Sequence, residues 1–285
     1  MTTEFKLSDS TLNMRAADLF RVDGLTVAIT AGASGIGLGY AEVMAANGAD
    51  VTILDIDKPA LDAAIENLRE SGGQAGAIVC DVRDKSAIDR AFAEIVARTG
   101  RLDVVFANAG ITGGPGFTAA DMSRPETTAF ENMPSELWDR VLAFNIGTVV
   151  KTIQATLPHM KRQKNGSIVV TSSCSATKTE LFVGAAYVTS KAAVAHLVRQ
   201  VAIEVAKYGV RVNAIAPGPI VTNIGGGRLK DPAAQAHFGR YHPMGRMGWP
   251  DDLKGAALLL ASPASRHMCG AEILVDGGFT LGATG

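Results

Sequence analysis

Short runs of Val, Ile and Ala recur along the chain with few polar residues inside them, and longer stretches with helical spacing lie between them. The runs are LTVAITA (25–31), DVTILD (50–55), AGAIVC (75–80), DVVFANA (103–109), GSIVVTS (166–172), VRVNAIA (210–216) and EILVD (272–276). A strand with one face in water alternates apolar and polar positions. These runs do not alternate, so each is expected to be buried on both faces. The intervening stretches, such as KPALDAAIENLRES and KSAIDRAFAEIVART, carry apolar residues three and four apart, the spacing of a helix with one buried face. Strand followed by helix, repeated, predicts an α/β fold. We expect one doubly wound, Rossmann-like parallel sheet of about seven strands with helices on both faces. Residues 22–285 are read as a single domain preceded by an arm, residues 1–21.

Two segments fit neither pattern, Thr112 to Pro134 and Thr222 to Pro250. Each follows the carboxyl end of a strand, where open α/β sheets bind their ligands, so both are expected to wall a pocket. Residues 222–250 would form its lid. Arg228, His237, Tyr241, His242 and Trp249 of that lid, with the loop SATKTELFVGAA (175–186), are the expected lining.

Composition narrows the kind of ligand. The 285 residues are 47% hydrophobic and 19% charged, with a formal net charge of -1 and no block of like charge. Nothing electrostatic therefore predicts nucleic acid or an anionic membrane as partner, and a small-molecule site is expected. Cys80, Cys174 and Cys269 are far apart and odd in number, and the five histidines lack ligand spacing, so neither a disulfide framework nor a metal site is expected. The opening MTTEFKLSDSTLNMRAADLF has no apolar run of the kind a signal peptide or anchor needs, which makes a cytoplasmic location the expectation.

The first strand runs straight into TAGASGIGLGYAEV. Glycines there let the backbone approach a pyrophosphate, and the helix that follows offers free N–H groups and a partial positive charge. The next strand ends in Asp55, 18 residues past Gly37, where a carboxylate accepts from the adenosine ribose hydroxyls and repels a ribose phosphate. In DIDKPA, Asp57 is a suitable helix cap with Pro59 in the first turn, which leaves Asp55 for the ribose. Neither Ser34 nor Ile56 supplies a cation to neutralise a phosphate. NAD is the expected cofactor.

With these residues placed, the chain resembles the short-chain dehydrogenase/reductase family over roughly residues 22 to 280. Thr30, Gly35 and Gly37 match its T-G-x-x-x-G-x-G motif, in which Ala31 replaces the first glycine and Gly32 stands next to it. Asn108, Ala109 and Gly110 match its N-A-G. Ser173, Tyr187 and Lys191 match its serine and Y-x-x-x-K, and Asn145 its active-site asparagine. Ser172 is the alternative serine, and Cys174 reads as a packing residue. The resemblance implies that Asn145, Ser173, Tyr187 and Lys191 are catalytic, Asn145 by holding a water that passes a proton from the lysine. It further implies that Gly32, Ser34, Gly35, Ile36, Gly37, Asp55, Asp81, Val82, Asn108, Ala109, Gly110, Tyr187, Lys191, Pro217, Gly218, Ile220 and Thr222 bind the cofactor. It also implies a homotetramer, a dimer being the alternative, in which the Tyr187 helix and the C-terminal strand face other subunits.

The residue types suit the reaction. Oxidising a secondary alcohol means removing its hydroxyl proton as a hydride leaves the carbon. A free phenol, with a pKa near 10, is mostly the wrong species to accept that proton. A lysine one helical turn away and the positive ring of oxidised nicotinamide are together expected to lower its pKa by charge. The expected function is therefore NAD(H)-dependent interconversion of a secondary alcohol, a polyol or cyclic alcohol, and its ketone, with Tyr187 as general acid/base. Three alternatives stand beside it: an NADPH-dependent carbonyl or 3-oxoacyl ketoreductase, a non-catalytic NAD-sensing protein, and an epimerase or dehydratase of nucleotide sugars. The last would need a C-terminal substrate domain, and the chain ends nine residues after Asp276.

Overall fold

The computed structural model describes residues 15–119 and 122–282; most of the arm therefore lies outside the described residues, and its visible end is one helical turn, α1 (Ala16–Leu19). Seven strands follow in alternation with helices: β1 (Thr26–Thr30), α2 (Gly35–Ala46), β2 (Asp50–Asp55), α3 (Lys58–Glu70), β3 (Gln74–Val79), α4 (Lys85–Thr99) and β4 (Val104–Ala107). The second half continues with α5 (Ser135–Gln163), β5 (Gly166–Thr171), α6 (Ala185–Val205), β6 (Val210–Pro217), α7 (Pro232–Gly239), α8 (Lys254–Ala261) and β7 (Glu272–Val275). All six pairings are parallel, in the order β3-β2-β1-β4-β5-β6-β7.

Alternate residues of one strand feed two separate cores. Val27, Ile29, Val104, Phe106 and Val169 meet the apolar stripes of α2, α3 and α8. Ala28, Val105, Ile168 and Val170, from the same strands, meet those of α4, α5 and α6. Burial on both faces is why the runs lack polar alternation. Helix starts follow their caps, for Asp57 Oδ1 accepts from Ala60 N at 3.1 Å at the head of α3, and Asp84 Oδ1 from Ser86 N at 2.8 Å at the head of α4.

The strand order reverses between β1 and β4, and the two irregular segments leave the carboxyl ends of β4 and β6. The second segment is more regular than its sequence suggests. It contains a 3₁₀ stretch, Ile224–Lys230, and then helix α7, capped by Asp231 with Pro232 at its first position. Asp-Pro is a helix-start signal, but the eight residues of α7 are too few for periodicity to declare them. The first segment holds two 3₁₀ turns, Glu126–Thr128 and Phe130–Asn132. No helix among the described residues is long and apolar enough to cross a membrane.

Candidate active site

The carboxyl ends of β1, β4 and β5 are tied together by side chains. Thr30 Oγ1 donates to Phe106 O and accepts from Asn108 N (3.0 Å); Asn108 Nδ2 donates to Ala31 O (3.0 Å); Thr171 Oγ1 donates to Asn108 Oδ1 (2.9 Å). Asn108 thus holds the glycine-rich turn against the sheet. Ala31 has φ 50°, a left-handed conformation costly for an L side chain and natural for the glycine it replaces. The substituted first glycine therefore leaves the left-handed turn intact, at a strain of about 1–2 kcal/mol.

Next comes Gly35, also left-handed at φ 55°, and then Gly37, where a Cβ would stand 2.7 Å from Asn108 Nδ2 and 2.9 Å from Gly32 Cα. The Ser34 hydroxyl makes no cap bond at the head of α2, and the first turn of a helix has N–H groups without intrahelical partners. Across the turn stands Asp55, whose Oδ2 accepts from Ala33 N (3.1 Å) and whose Oδ1 accepts from Ile56 N (2.8 Å) and Asp57 N (3.2 Å). Three backbone donors fix the carboxylate beside the turn. A close-approach cradle, a helix start and a fixed carboxylate together fit a dinucleotide.

One cavity of about 420 Å³ runs from this turn to the far end of the sheet. Ser34, Gly35, Ile36, Asn108, Gly110, Ser173, Tyr187, Lys191, Pro217, Gly218, Ile220 and Thr222 line it. Other residues expected at the cofactor lie off its walls. Gly32, Gly37 and Ala109 shape the backbone behind it; Val82 is buried in the core; the Asp81 carboxylate is held by Arg83 (2.6 Å), which keeps its pKa below the usual range.

At the reacting end, Tyr187 and Lys191 project from the first turns of α6 and Ser173 follows β5. Lys191 is almost fully buried, and its Nζ donates to Thr171 O at 2.9 Å and lies 5.6 Å from the Tyr187 ring centroid. Ser173 Oγ, beside the Tyr187 side chain, accepts from Ser175 N (3.1 Å) and donates to Ser175 Oγ (3.1 Å). Ser172 Oγ, by contrast, is buried without a partner. Burial pushes the Tyr187 phenol up to about 12, against the smaller lowering influence of the neighbouring Ser173 hydroxyl. Burial likewise pulls the Lys191 amine down to about 8. Among the protein's own groups, desolvation is the largest influence on the phenol.

Asn145, on α5, is 1% exposed and off the cavity wall. Its Nδ2 donates to Ile111 O and to Ser190 Oγ (3.0 Å each), and its Oδ1 accepts from Ile111 N (2.8 Å). Both amide protons are used, so the side chain pins the loop after β4 to α6.

Of the expected lining, loop 175–186 contributes Ser175, Glu180, Phe182 and Val183, whereas the lid differs from the expected set. Residues 113–118 lie along residues 181–184, with a Pro115–Val183 bridge and Thr118 N donating to Leu181 O (3.1 Å). A Cβ at Gly113 would stand 2.7 Å from Tyr187 Cβ. From the lid, Ile224, Leu229 and Phe238 line the cavity, while His237, Tyr241, His242 and Trp249 do not. His237 and Tyr241 pack around Phe182 (ring centroids 6.2 and 5.5 Å), and His242 is buried against Phe279; the side chain of Arg228 lies outside the described residues. Polar lid residues were the natural candidates by residue type, yet α7 turns its apolar face inward. Cys174, expected only to pack, is buried, lines the cavity and points Sγ at Glu180 Oε1 (3.5 Å). Glu180 itself is a wall residue that no motif singled out.

Comparison with known proteins gives concordant findings. A family model described as enoyl-(acyl carrier protein) reductase matches residues 30–280. The chain is 35% identical over 267 residues to a sorbose reductase of Candida albicans, covering 92% of this chain and 89% of that one. It is 34% identical over 278 residues to a cyclohexanol dehydrogenase of Rhodococcus sp., covering 90% and 96%. Among solved structures, a short-chain type dehydrogenase/reductase from Mycobacterium marinum superposes with a TM-score of 0.81 at 34% identity, covering 92% and 98%.

Proposed function

The chain belongs to the short-chain dehydrogenase/reductase family, and from that premise we propose that it interconverts a secondary alcohol, cyclic or polyhydroxylated, and its ketone with NAD(H). Oxidoreduction of a CH–OH group with a nicotinamide cofactor follows from the family and from relatives named for sorbose reduction and cyclohexanol dehydrogenation. The observation that carries the mechanism is the Tyr187 phenol on the cavity wall, with Ser173 on the same wall and a buried Lys191 one turn away.

The roles divide by atom. Ser173 Oγ orients the substrate oxygen toward Tyr187. Tyr187 as phenolate takes the substrate's hydroxyl proton in oxidation and as phenol returns it in reduction. Lys191 Nζ, held by Thr171 O, binds the nicotinamide ribose and favours phenolate by charge. Oxidised nicotinamide, when bound, supplies the hydride acceptor and a further positive charge beside the phenol. Asn145 keeps the loop after β4 in position against α6. Gly35, Gly37 and the head of α2 would hold the pyrophosphate, Pro217, Gly218, Ile220 and Thr222 the nicotinamide end. Phe182, Val183 and Phe238 keep water from the reacting atoms, which strengthens every charge interaction inside.

Preference for NAD rests on Asp55, fixed by three backbone N–H groups with no cation at Ser34 or Ile56 to offset it. Self-association, as a homotetramer, is supported by exposed apolar residues on the expected faces, Ile203 of α6 and Leu274 of β7. The test is formation of reduced nicotinamide from NAD or NADP with a panel of secondary alcohols, polyols and cyclic diols. NAD-linked turnover is the expected result. Turnover with NADP alone would overturn the Asp55 argument in favour of an NADPH-dependent carbonyl reductase, and silence with both cofactors would overturn the reaction.

A further inference from the structure

Glu180 is a largely buried carboxylate on the cavity wall, and none of the ion pairs among the described residues includes it. Its bonds converge on one oxygen: Ser175 Oγ donates to Oε1 at 3.2 Å, and Cys174 Sγ approaches Oε1 at 3.5 Å. Neither bond uses Oε2. Ser173 Oγ donates in turn to Ser175 Oγ at 3.1 Å, so the carboxylate is two hydrogen bonds from the serine that lines the cavity with Tyr187. The nearest cation, Lys178, is spent elsewhere, donating to Phe279 O and lying over the Phe279 ring at 4.3 Å.

Burying a carboxylate without an ion-pair partner is a poor way to stabilise a fold. With the apolar Phe182, Val183 and Phe238 also on the cavity wall, it is suited to a donor that arrives with the ligand. We propose that Glu180 accepts a hydrogen bond from a second hydroxyl of the substrate, one or two carbons from the reacting carbon, and so selects diols and polyols over simple alcohols. The proposal rests on the reading of Tyr187 and Ser173 as the reacting end. A hydroxyl suits the site better than an ammonium group: Oε1 already bonds two neutral donors, and Lys178 lies close enough to add positive charge.

The test compares cyclohexane-1,2-diol with cyclohexanol, which differ by one hydroxyl, in the full-length enzyme and in its Glu180→Leu and Glu180→Gln variants. A buried hydrogen bond to a charged acceptor predicts a wild-type preference for the diol of about 10- to 100-fold in kcat/KM. Glu180→Leu should bring that ratio close to one, chiefly through KM, and Glu180→Gln, which keeps an acceptor, should restore part of it. An unchanged ratio in Glu180→Leu would overturn the proposal and leave Glu180 as a support for Ser175. A wild-type preference for an amine-bearing alcohol over the diol, lost in Glu180→Leu, would overturn the hydroxyl assignment. If wild type oxidised neither alcohol, the reading of the reaction would fail separately. The thermal upshift given by the diol to the nicotinamide-bound protein would still decide Glu180, since it should be present in wild type and absent in Glu180→Leu, and equal upshifts would overturn the proposal.

Discussion

Gly37→Ala adds one methyl group where the backbone leaves no room for it. The new Cβ would stand 2.7 Å from Asn108 Nδ2, 2.9 Å from Gly32 Cα and closer still to the Ala31 carbonyl oxygen. Two of those atoms are backbone and cannot rotate away. Forcing a methyl group into fixed neighbours costs about 1–3 kcal/mol. Losing the hydrogen bond from Asn108 Nδ2 to Ala31 O costs about 0.5–1.5 kcal/mol more. Alanine's better helix propensity returns about 1 kcal/mol. The net loss is roughly 2 kcal/mol, a fall in Tm of about 4–8 °C in a chain of this size. The same displacement parts the turn from the head of α2, so NAD affinity should fall by about tenfold or more. Gly255→Ala is the matched control, for it lies exposed in the first turn of α8 with nothing within 4 Å of its added Cβ. It should leave stability unchanged or raise it by up to about 1 kcal/mol. Thermal denaturation and titration calorimetry read both effects. A Gly37→Ala protein as stable as wild type, or binding NAD as tightly, would refute the close-approach account of the cradle.

Three further outcomes follow from the reacting end. Alcohol oxidation needs phenolate, and burial raises the Tyr187 pKa, so kcat/KM for oxidation should climb with pH through neutrality while ketone reduction, which needs the phenol, does not; an oxidation rate that fell with rising pH would contradict this. Lys191→Met should abolish turnover yet stabilise the fold at neutral pH. The native pKa near 8, against 10.5 when unfolded, means the native state binds fewer protons between those values and wild-type stability rises with pH across that window. The variant's advantage should therefore shrink from pH 8 to 10.5, and a constant difference would refute the burial penalty. Ser173→Ala should lose most activity, whereas Ser172→Ala, which removes a buried hydroxyl without a partner, should keep most of it and be no less stable; the reverse pattern in parallel kinetics would exchange the two serines.

Much of this was legible in the sequence because it rests on local rules. Burial on both faces removes polar alternation in the five inner strands; the edge strands β3 and β7 were read from the same apolar runs but are only partly buried, with Val79 and Leu274 exposed, and Asp57 announced its cap by standing before Lys-Pro at a helix start. Tyr187 and Lys191 share a face because four residues are about one helical turn. What was not legible depends on contacts distant in sequence. Glu180 stands in the loop expected to line the pocket, but nothing in the pattern singles out that carboxylate, or the pairing of residues 113–118 with residues 181–184 beside it. Lid polarity misled for the opposite reason: His237 and Tyr241 find partners around Phe182, leaving Phe238 and Leu229 to the pocket.

The central claim is that Tyr187 moves the substrate proton, and the most direct test is turnover of Tyr187→Phe with the best alcohol substrate, alongside its NAD affinity. Loss of a general acid/base costs about 10² to 10⁴ in rate. The account predicts a loss in that range or greater with NAD binding retained. Substantial turnover by the phenylalanine variant would contradict it.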